Sequence, residues 1–240
     1  MVEKKDVFLA SDVKNINIES TCSNLTIEEA ETEEIVIRTE YNENEVKEYR
    51  CKLHNGSLDI SHKWKRGSHT DGVSDVIEIV IPAGTFFENL SLKVEAGNAK
   101  LLSHTTEYGR ATIEIGAGNL SMEALKATGN VDIEVGAGNV SILQIDAKTV
   151  NAECGAGKLN IYGKVDGDLN VECGVGKVKL DLDEEESAYN YQVSCGIGSV
   201  RINGTKRGGL FAGRNSIQNA NAKGTMNLSC GVGSIQVITK

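Results

Sequence analysis

One phrase recurs down this chain: IEIGAGNLSM at 113–122, DIEVGAGNVSI at 132–142, then AECGAGKLNI, VECGVGKVKL, VSCGIGSVRI and LSCGVGSIQV. Its second glycine falls at Gly118, Gly138, Gly157, Gly176, Gly198 and Gly233, at intervals of 20, 19, 19, 22 and 35 residues. A unit of that size holds two or three short strands and their turns, too little to bury its own apolar face, so neighbouring units must stack. Two weaker copies extend the series towards the N-terminus: LKVEAGNAKL at 92–101 keeps Gly97, whereas IESTCSNLTI at 18–27 keeps the apolar positions without the glycines.

Within a unit the side chains alternate as in a half-buried strand, with Ile113, Ile115 and Ala117 on one face and Glu114 and Gly116 on the other. After Gly118-Asn119 the apolar pair becomes Leu120 and Met122, so the chain turns there, and glycine and asparagine accept the positive φ that a corner can require. A short return leg, Leu125-Lys126-Ala127, leads to the next unit. The expected fold is all-β: a parallel β-solenoid of the β-helix or β-roll kind with rungs of 19–22 residues. The chain divides into an N-terminal β section continuous with the solenoid (1–82), regular rungs (83–200), and a C-terminal cap with the last rung (201–240). One proline, 26 glycines and few helix-like windows agree with this.

Stacking turns equivalent positions into columns at about 4.8 Å per rung. One inward column reads Val94, Ile115, Val135, Cys154, Cys173, Cys195, Cys230. The cysteines serve there as small hydrophobes interchangeable with Ile and Val; the sharper reading is a thiol ladder that takes metal or forms disulfides. A straight column does not converge as metal ligands do, and parallel Cβ vectors disfavour disulfides, so free thiols and no metal or cofactor are expected. The neighbouring outward column reads Glu114, Glu134, Glu153, Glu172, then Ser194 and Ser229. Like charges facing one another across strands repel. Either nearby lysines such as Lys158 and Lys177 relieve them, or a cation such as calcium bridges them.

Outside the rungs, Val13–Ile18, Ile35–Thr39, Val46–Leu53, Leu58–Ile60 and Val76–Ile81 read as strands, with Asn55-Gly56 a hairpin turn. The stretch HKWKRGSHTDGV from His62 to Val73 reads as a polar, basic loop whose Trp64 belongs to a mobile or packed connection or, alternatively, stacks on a sugar or another ring, while His62 and His69 are too isolated to form a metal pair. The acidic run between Glu28 and Glu48 reads as a solvated edge or a surface for a cationic partner. DLDEEESAYNY from Asp181 to Tyr191 reads as a surface loop. The insertion from Arg201 to Gly224 reads as a cap, or as a basic binding loop that includes Arg207.

The recurring phrase, the opening DVKNINIESTCSNLTIEE, the strand ending IVIPAG and the late RINGTKRGGL together resemble the bacterial putative adhesin family, a domain of unknown function, from about Phe8 to Val237. The resemblance implies a single-sheet-layered β-solenoid and a bacterial cell-envelope setting, and it implies no known activity. The opening VEKKDVFLASDVKNINI lacks the apolar core of a signal peptide, and no stretch approaches the roughly 20 apolar residues of a membrane span. The residues therefore place this chain in the cytoplasm or at the inner face of the membrane, without insertion, and in the envelope or at the surface if it is a trimmed form. Net charge of −9 argues against a nucleic-acid binder.

The functional expectation is a non-catalytic interaction scaffold for a protein, glycan or envelope component. Its surface candidates are Glu114, Glu134, Glu153, Glu172, Trp64 and Arg207, with the six corner glycines structural. Two alternatives stand beside it: a polysaccharide-active β-helix enzyme using Asp166 with Asp168 or Asp181 with Asp183, and a self-associating structural module.

Overall fold

The structure, a computed structural model, describes residues 1–65, 75–209 and 215–240. Its strands are β1 (Val2–Leu9), β2 (Asn15–Ala30), β3 (Glu34–Tyr41), β4 (Val46–His54), β5 (Ser57–Trp64), β6 (Val76–Pro82), β7 (Phe86–Leu102), β8 (Glu107–Ile115), β9 (Asn119–Met122) and β10 (Leu125–Val135). They continue as β11 (Asn139–Cys154), β12 (Lys158–Val165), β13 (Leu169–Cys173), β14 (Lys177–Leu182), β15 (Tyr189–Cys195), β16 (Ser199–Ile202), β17 (Thr205–Gly209), β18 (Asn215–Ile217), β19 (Gly224–Cys230) and β20 (Ser234–Ile238). Among the described residues the only helical segments are two three-residue 3-10 turns. The fold is all-β and solenoid-like, in one continuous sheet.

Each central rung contains three paired segments. Val131 pairs in parallel with Ala111 on one side and Val150 on the other; Val140 lies between Leu120 and Leu159; Ala127 lies between Tyr108 and Ala147. Leu125-Lys126-Ala127, expected as a short return leg, is thus a strand segment, with Lys126 and Ala127 paired on both sides. Alternate residues of every segment point inward, and Ile113, Ile115, Leu120, Met122, Leu125, Val131 and Ile133 are all buried in a single core. At about 25 cal/mol per Å² of apolar surface, such columns supply the main drive for stacking.

The corner glycines serve a different purpose from the one expected. Gly118, Gly138, Gly157, Gly176, Gly198 and Gly233 do not adopt positive φ; in this phrase only the outlying Gly97 does, at 101°. Space is what restricts them. A Cβ on Gly176 would lie 2.5 Å from Gly157 O and 2.7 Å from Cys154 Sγ, and one on Gly233 would lie 2.8 Å from Cys173 Sγ. Each second glycine therefore accommodates a carbonyl of the neighbouring rung, and from Gly138 onward the inward column residue of that rung as well. Positive φ is used instead at Asn55 and Gly56, 50° and 76°, in the tight turn between β4 and β5.

Both ends of the stack depart from sequence order. The C-terminal rung, β19–β20, lies inside the stack: Cys230 pairs with Cys173 on one side and Cys195 on the other, and β20 lies between β14 and β16. The outermost rung is β15–β16, so the expected column order of 173, 195, 230 becomes 173, 230, 195. The insertion after Ile202 supplies the chain needed to turn back, and its β17 and β18 run antiparallel along β16 and β15. At the other end β2 lies between β7 and the pair β5 and β6, and β4, β3 and β1 add antiparallel strands outside these. Because β3 has partners on both sides, part of the acidic run belongs to an interior strand, and among the described residues the edges at this end lie on β1 and on β4, where the run finishes.

Candidate functional site

The outward face of the 131–135 segments carries two adjacent columns. The first reads Ser91, Thr112, Asp132, Asn151, Asn170, Asn227, Gln192 in stacking order, and the second reads Lys93, Glu114, Glu134, Glu153, Glu172, Ser229, Ser194. In the first, the amides form a ladder: Asn151 Nδ2 donates to Asp132 Oδ1 at 2.6 Å, Asn170 Nδ2 to Asn151 Oδ1 at 2.8 Å, and Asn227 Nδ2 to Asn170 Oδ1 at 2.7 Å. A second ladder runs along the next face through Asn24, Asn98, Asn119 and Asn139. These ladders exploit the register of parallel strands, in which identical side chains stack directly.

In the glutamate column only Glu114 is paired, with Lys93 Nζ 2.7 Å from its Oε2. Among the described residues Glu134, Glu153 and Glu172 make no ion pair, and neither Lys158 nor Lys177 reaches them; both lysines lie past the corner on the adjacent face. Nor do any three His, Cys, Asp or Glu side chains converge as metal ligands among the described residues. Towards the outermost rung this face dips into a depression of about 550 Å³, lined by Asn170, Glu172, Asn227, Ser229, Gln192 and Ser194, and bounded by Asn215 and Ser216 of β18. The amide members of this set are absent from the residues the sequence singled out, and Ser194 and Ser229 appear there only as the continuation of the glutamate column. Their repetition was visible in it, but the neighbours of Gln192 depend on the interchanged rung order.

His62 is placed otherwise than expected, and Trp64 is packed beside it. His62 is a buried strand residue, since the inward alternation Leu58, Ile60, His62 continues through β5. Its Nε2 lies 3.0 Å from Asp75 Oδ2, and burial pushes the imidazole below its usual pKa while Asp75 opposes that shift. The half-buried Trp64 donates from Nε1 to the same carboxylate oxygen at 2.7 Å, and Asn42 N donates to Asp75 Oδ1 at 3.1 Å. One edge of the indole is thus committed to a buried acceptor, in keeping with a packed connection rather than a free stacking ring. His69 lies outside the described residues.

Arg207, on β17, holds Nη2 3.7 Å from Glu186 Oε1, so its charge is partly engaged by the Asp181–Tyr191 loop. That loop also binds the C-terminal segments: Glu184 pairs with Lys223, and Asp183 with Lys240. The carboxylate pairs considered for hydrolysis are individually occupied. Asp166 takes Lys164 and Lys223, Asp168 accepts from Thr225 N, and Asp181 takes Lys179.

The thiols of Cys154, Cys173, Cys230 and Cys195 occupy one inward column in that order, all free, with Cys195 alone partly exposed. Burial pushes each thiol up from its usual value. No helix among the described residues is long and apolar enough to cross a membrane.

Comparison with known proteins places this arrangement among relatives. A search of the curated proteins found no match. Among solved structures, a putative cell adhesion protein from Clostridium sporogenes is similar over 100% of both chains, at 16% identity and a TM-score of 0.41. A putative adhesin from Bacteroides fragilis is similar over 98% of this chain and 97% of its own, at 12% identity and a TM-score of 0.49. A putative lipid binding protein from Parabacteroides distasonis is similar over 98% of this chain and 96% of its own, at 13% identity and a TM-score of 0.49. The family profile Toastrack DUF4097 matches residues 13–207 and 102–237, and on that match the chain belongs to the Toastrack family.

Proposed function

We propose that the protein is a non-catalytic, adhesin-like scaffold that binds an extended, hydroxyl-rich partner, a glycan of the cell envelope, along the outward face of its rungs. The observation that carries this reading is the depression on that face, where amide and hydroxyl groups from Asn170, Asn227, Gln192, Ser194 and Ser229 surround the unpaired Glu172. Amides and carboxylates at strand spacing suit repeated hydroxyls, and a stack of rungs suits a polymer. Catalysis fits poorly, because glycoside hydrolysis needs two carboxyl groups facing one bond, and Asp166, Asp168 and Asp181 are each tied to a lysine or a backbone amide.

Equilibrium binding to a panel of soluble envelope polysaccharides tests this, with released reducing ends measured in the same samples. One glycan class should be retained without cleavage, and Glu172→Gln with Gln192→Ala should weaken it at least tenfold. Unchanged binding in that double variant refutes the site, and reducing ends that appear with time refute the non-catalytic reading.

A second reading, self-association, is favoured by one specific feature. Val175, Val232 and Ile197, the middle residues of three corners on adjacent rungs, are large, aliphatic and exposed. Sedimentation should then show a concentration-dependent dimer that Val232→Ser with Ile197→Ser abolishes.

A further inference from the structure

Four thiols stand on four consecutive rungs, an order created by the inserted C-terminal rung: Cys154 pairs with Cys173, Cys173 with Cys230, and Cys230 with Cys195. The remaining two cysteines lie elsewhere, Cys22 opposite Ala96 and Cys51 opposite Ile60. We infer that this column is a binding site for a soft, thiophilic monovalent cation of the copper(I) type, each ion held in a line between the sulfurs of two adjacent rungs.

The geometry fits this coordination and no common alternative. Zinc requires about four ligands converging on one point, and a straight column of parallel Cβ vectors cannot provide them. A disulfide requires Cβ atoms about 3.8 Å apart, nearer than the rung spacing of about 4.8 Å allows. A linear S–metal–S unit does fit. Taking the zinc–sulfur length of about 2.3 Å as the scale, two such bonds end to end span about 4.6 Å, close to that spacing. Soft thiolates also select copper(I) over harder ions.

Burial raises the pKa of every thiol of the column, so each sulfur keeps its proton until a metal replaces it. The backbone N–H groups past the corner are already used between rungs, Lys177 N by Gly157 O, Ser234 N by Gly176 O and Ser199 N by Gly233 O, and Cys173 Sγ itself donates to Ser234 O at 3.8 Å, which leaves the sulfurs free to bind along the column. Cys195, on the outermost rung and partly exposed, provides the way in. On binding, two S–H bonds break, two sulfur–metal bonds form, and both protons pass to solvent, with no change in oxidation state. The four thiols divide into two disjoint pairs, Cys154 with Cys173 and Cys230 with Cys195, giving a capacity of two ions.

The test is anaerobic titration of the full chain with copper(I), supplied as its acetonitrile complex against a competing chelator and read by native mass spectrometry and proton release. The intact chain should take two ions and release two protons for each. Two double variants then separate adjacency from mere thiol number. Cys154→Val with Cys195→Val leaves the adjacent Cys173 and Cys230 and should take one ion. Cys154→Val with Cys230→Val leaves Cys173 and Cys195, separated by a rung, and should take none. Valine already fills this column at Val94 and Val135, so both variants should fold. If one does not, the comparison of a chain keeping Cys154 and Cys173 with one keeping Cys154 and Cys230 poses the same question. Equal uptake by the two members of either comparison, or no uptake by the intact chain, overturns the inference.

Discussion

Replacing Gly176 with alanine separates two explanations of the repeated corner. If the glycine supplied an unusual φ, asparagine would serve nearly as well. If it supplied room, any Cβ would be costly and asparagine worse than alanine. The geometry favours room: the added Cβ would lie 2.5 Å from Gly157 O and 2.7 Å from Cys154 Sγ, and φ at Gly176 is outside the left-handed region. Relief requires the two rungs to part where Gly176 N bonds Gly155 O at 2.9 Å and Lys177 N bonds Gly157 O at 3.0 Å.

Overpacking of this kind costs about 1–3 kcal/mol, and weakening a backbone bond adds about 1 kcal/mol. A stiffer unfolded chain returns about 0.4–1 kcal/mol, leaving a net loss of about 1–3.5 kcal/mol. For a chain of this length each kcal/mol moves Tm by about 2–4 °C, so thermal melts followed by circular dichroism should fall by roughly 2–14 °C. Adding Cys154→Ala should restore part of the loss by removing the Sγ contact while leaving the carbonyl clash. Gly84→Ala is the comparison: φ there is +68° and nothing lies within 4 Å of the added Cβ, so its penalty is the left-handed one of about 1–2 kcal/mol. A Gly176→Asn chain as stable as Gly176→Ala, or a Gly176→Ala chain within 0.5 kcal/mol of the parent by the same melts, roughly the scatter of surface substitutions, would refute the reasoning.

Glu29 accepts from the backbone amides of His104, Thr105 and Thr106 and from the two threonine hydroxyls. Although burial opposes it, these bonds hold the carboxyl down to about 2 from 4.5. The stability it adds is complete above the ordinary carboxylate value and is lost as pH falls towards about 2; after allowance for its partial exposure this is about 1–2 kcal/mol, and Glu29→Gln should flatten that part of an acid-unfolding curve. The His62 imidazole, held below its usual value by burial, contributes in full above roughly pH 6.5 and progressively less as pH falls from there, so urea midpoints should begin to decline near that pH and less so in His62→Gln. Asp75→Ala removes the acceptor of Trp64 Nε1 and Asn42 N; it should cost about 2–4 kcal/mol and shift the emission of the single tryptophan to the red. Denaturation without reductant should render all six thiols reactive towards an alkylating agent, whereas a requirement for reductant contradicts the free-thiol structure.

The repeat was legible because parallel stacking copies a rung's chemistry into the next, so Ile115, Val135, Cys154 and Cys173 reveal their column through spacing alone. Rung order was not. The interval of 35 residues before Gly233 shows that chain is inserted, but not that β19 returns between β13 and β15. The glycine positions were found and their reason was misread, because a clash with a neighbouring rung's carbonyl is invisible in a single strand. His62 was lost in a stretch rich in basic residues, although Leu58 and Ile60 already carried its inward phase. The depression beside Glu172 was only half visible: the sequence contained its asparagines, but not the approach of Asn215 and Ser216 from β18.

The interchange of terminal rungs has a consequence for how such a chain can be made and trimmed. In an ordinary repeat array a unit removed from the end shortens the array and leaves the rest intact. Here, deleting residues 224–240 would remove the partner of both β13 and β15 and detach a rung whose own sequence is untouched. The same holds at the start, where β2 joins β7 to β5 and β6. On a ribosome the stack cannot close until its last residues emerge, so β15 and β16 must wait with an unmatched edge for a strand synthesised after them.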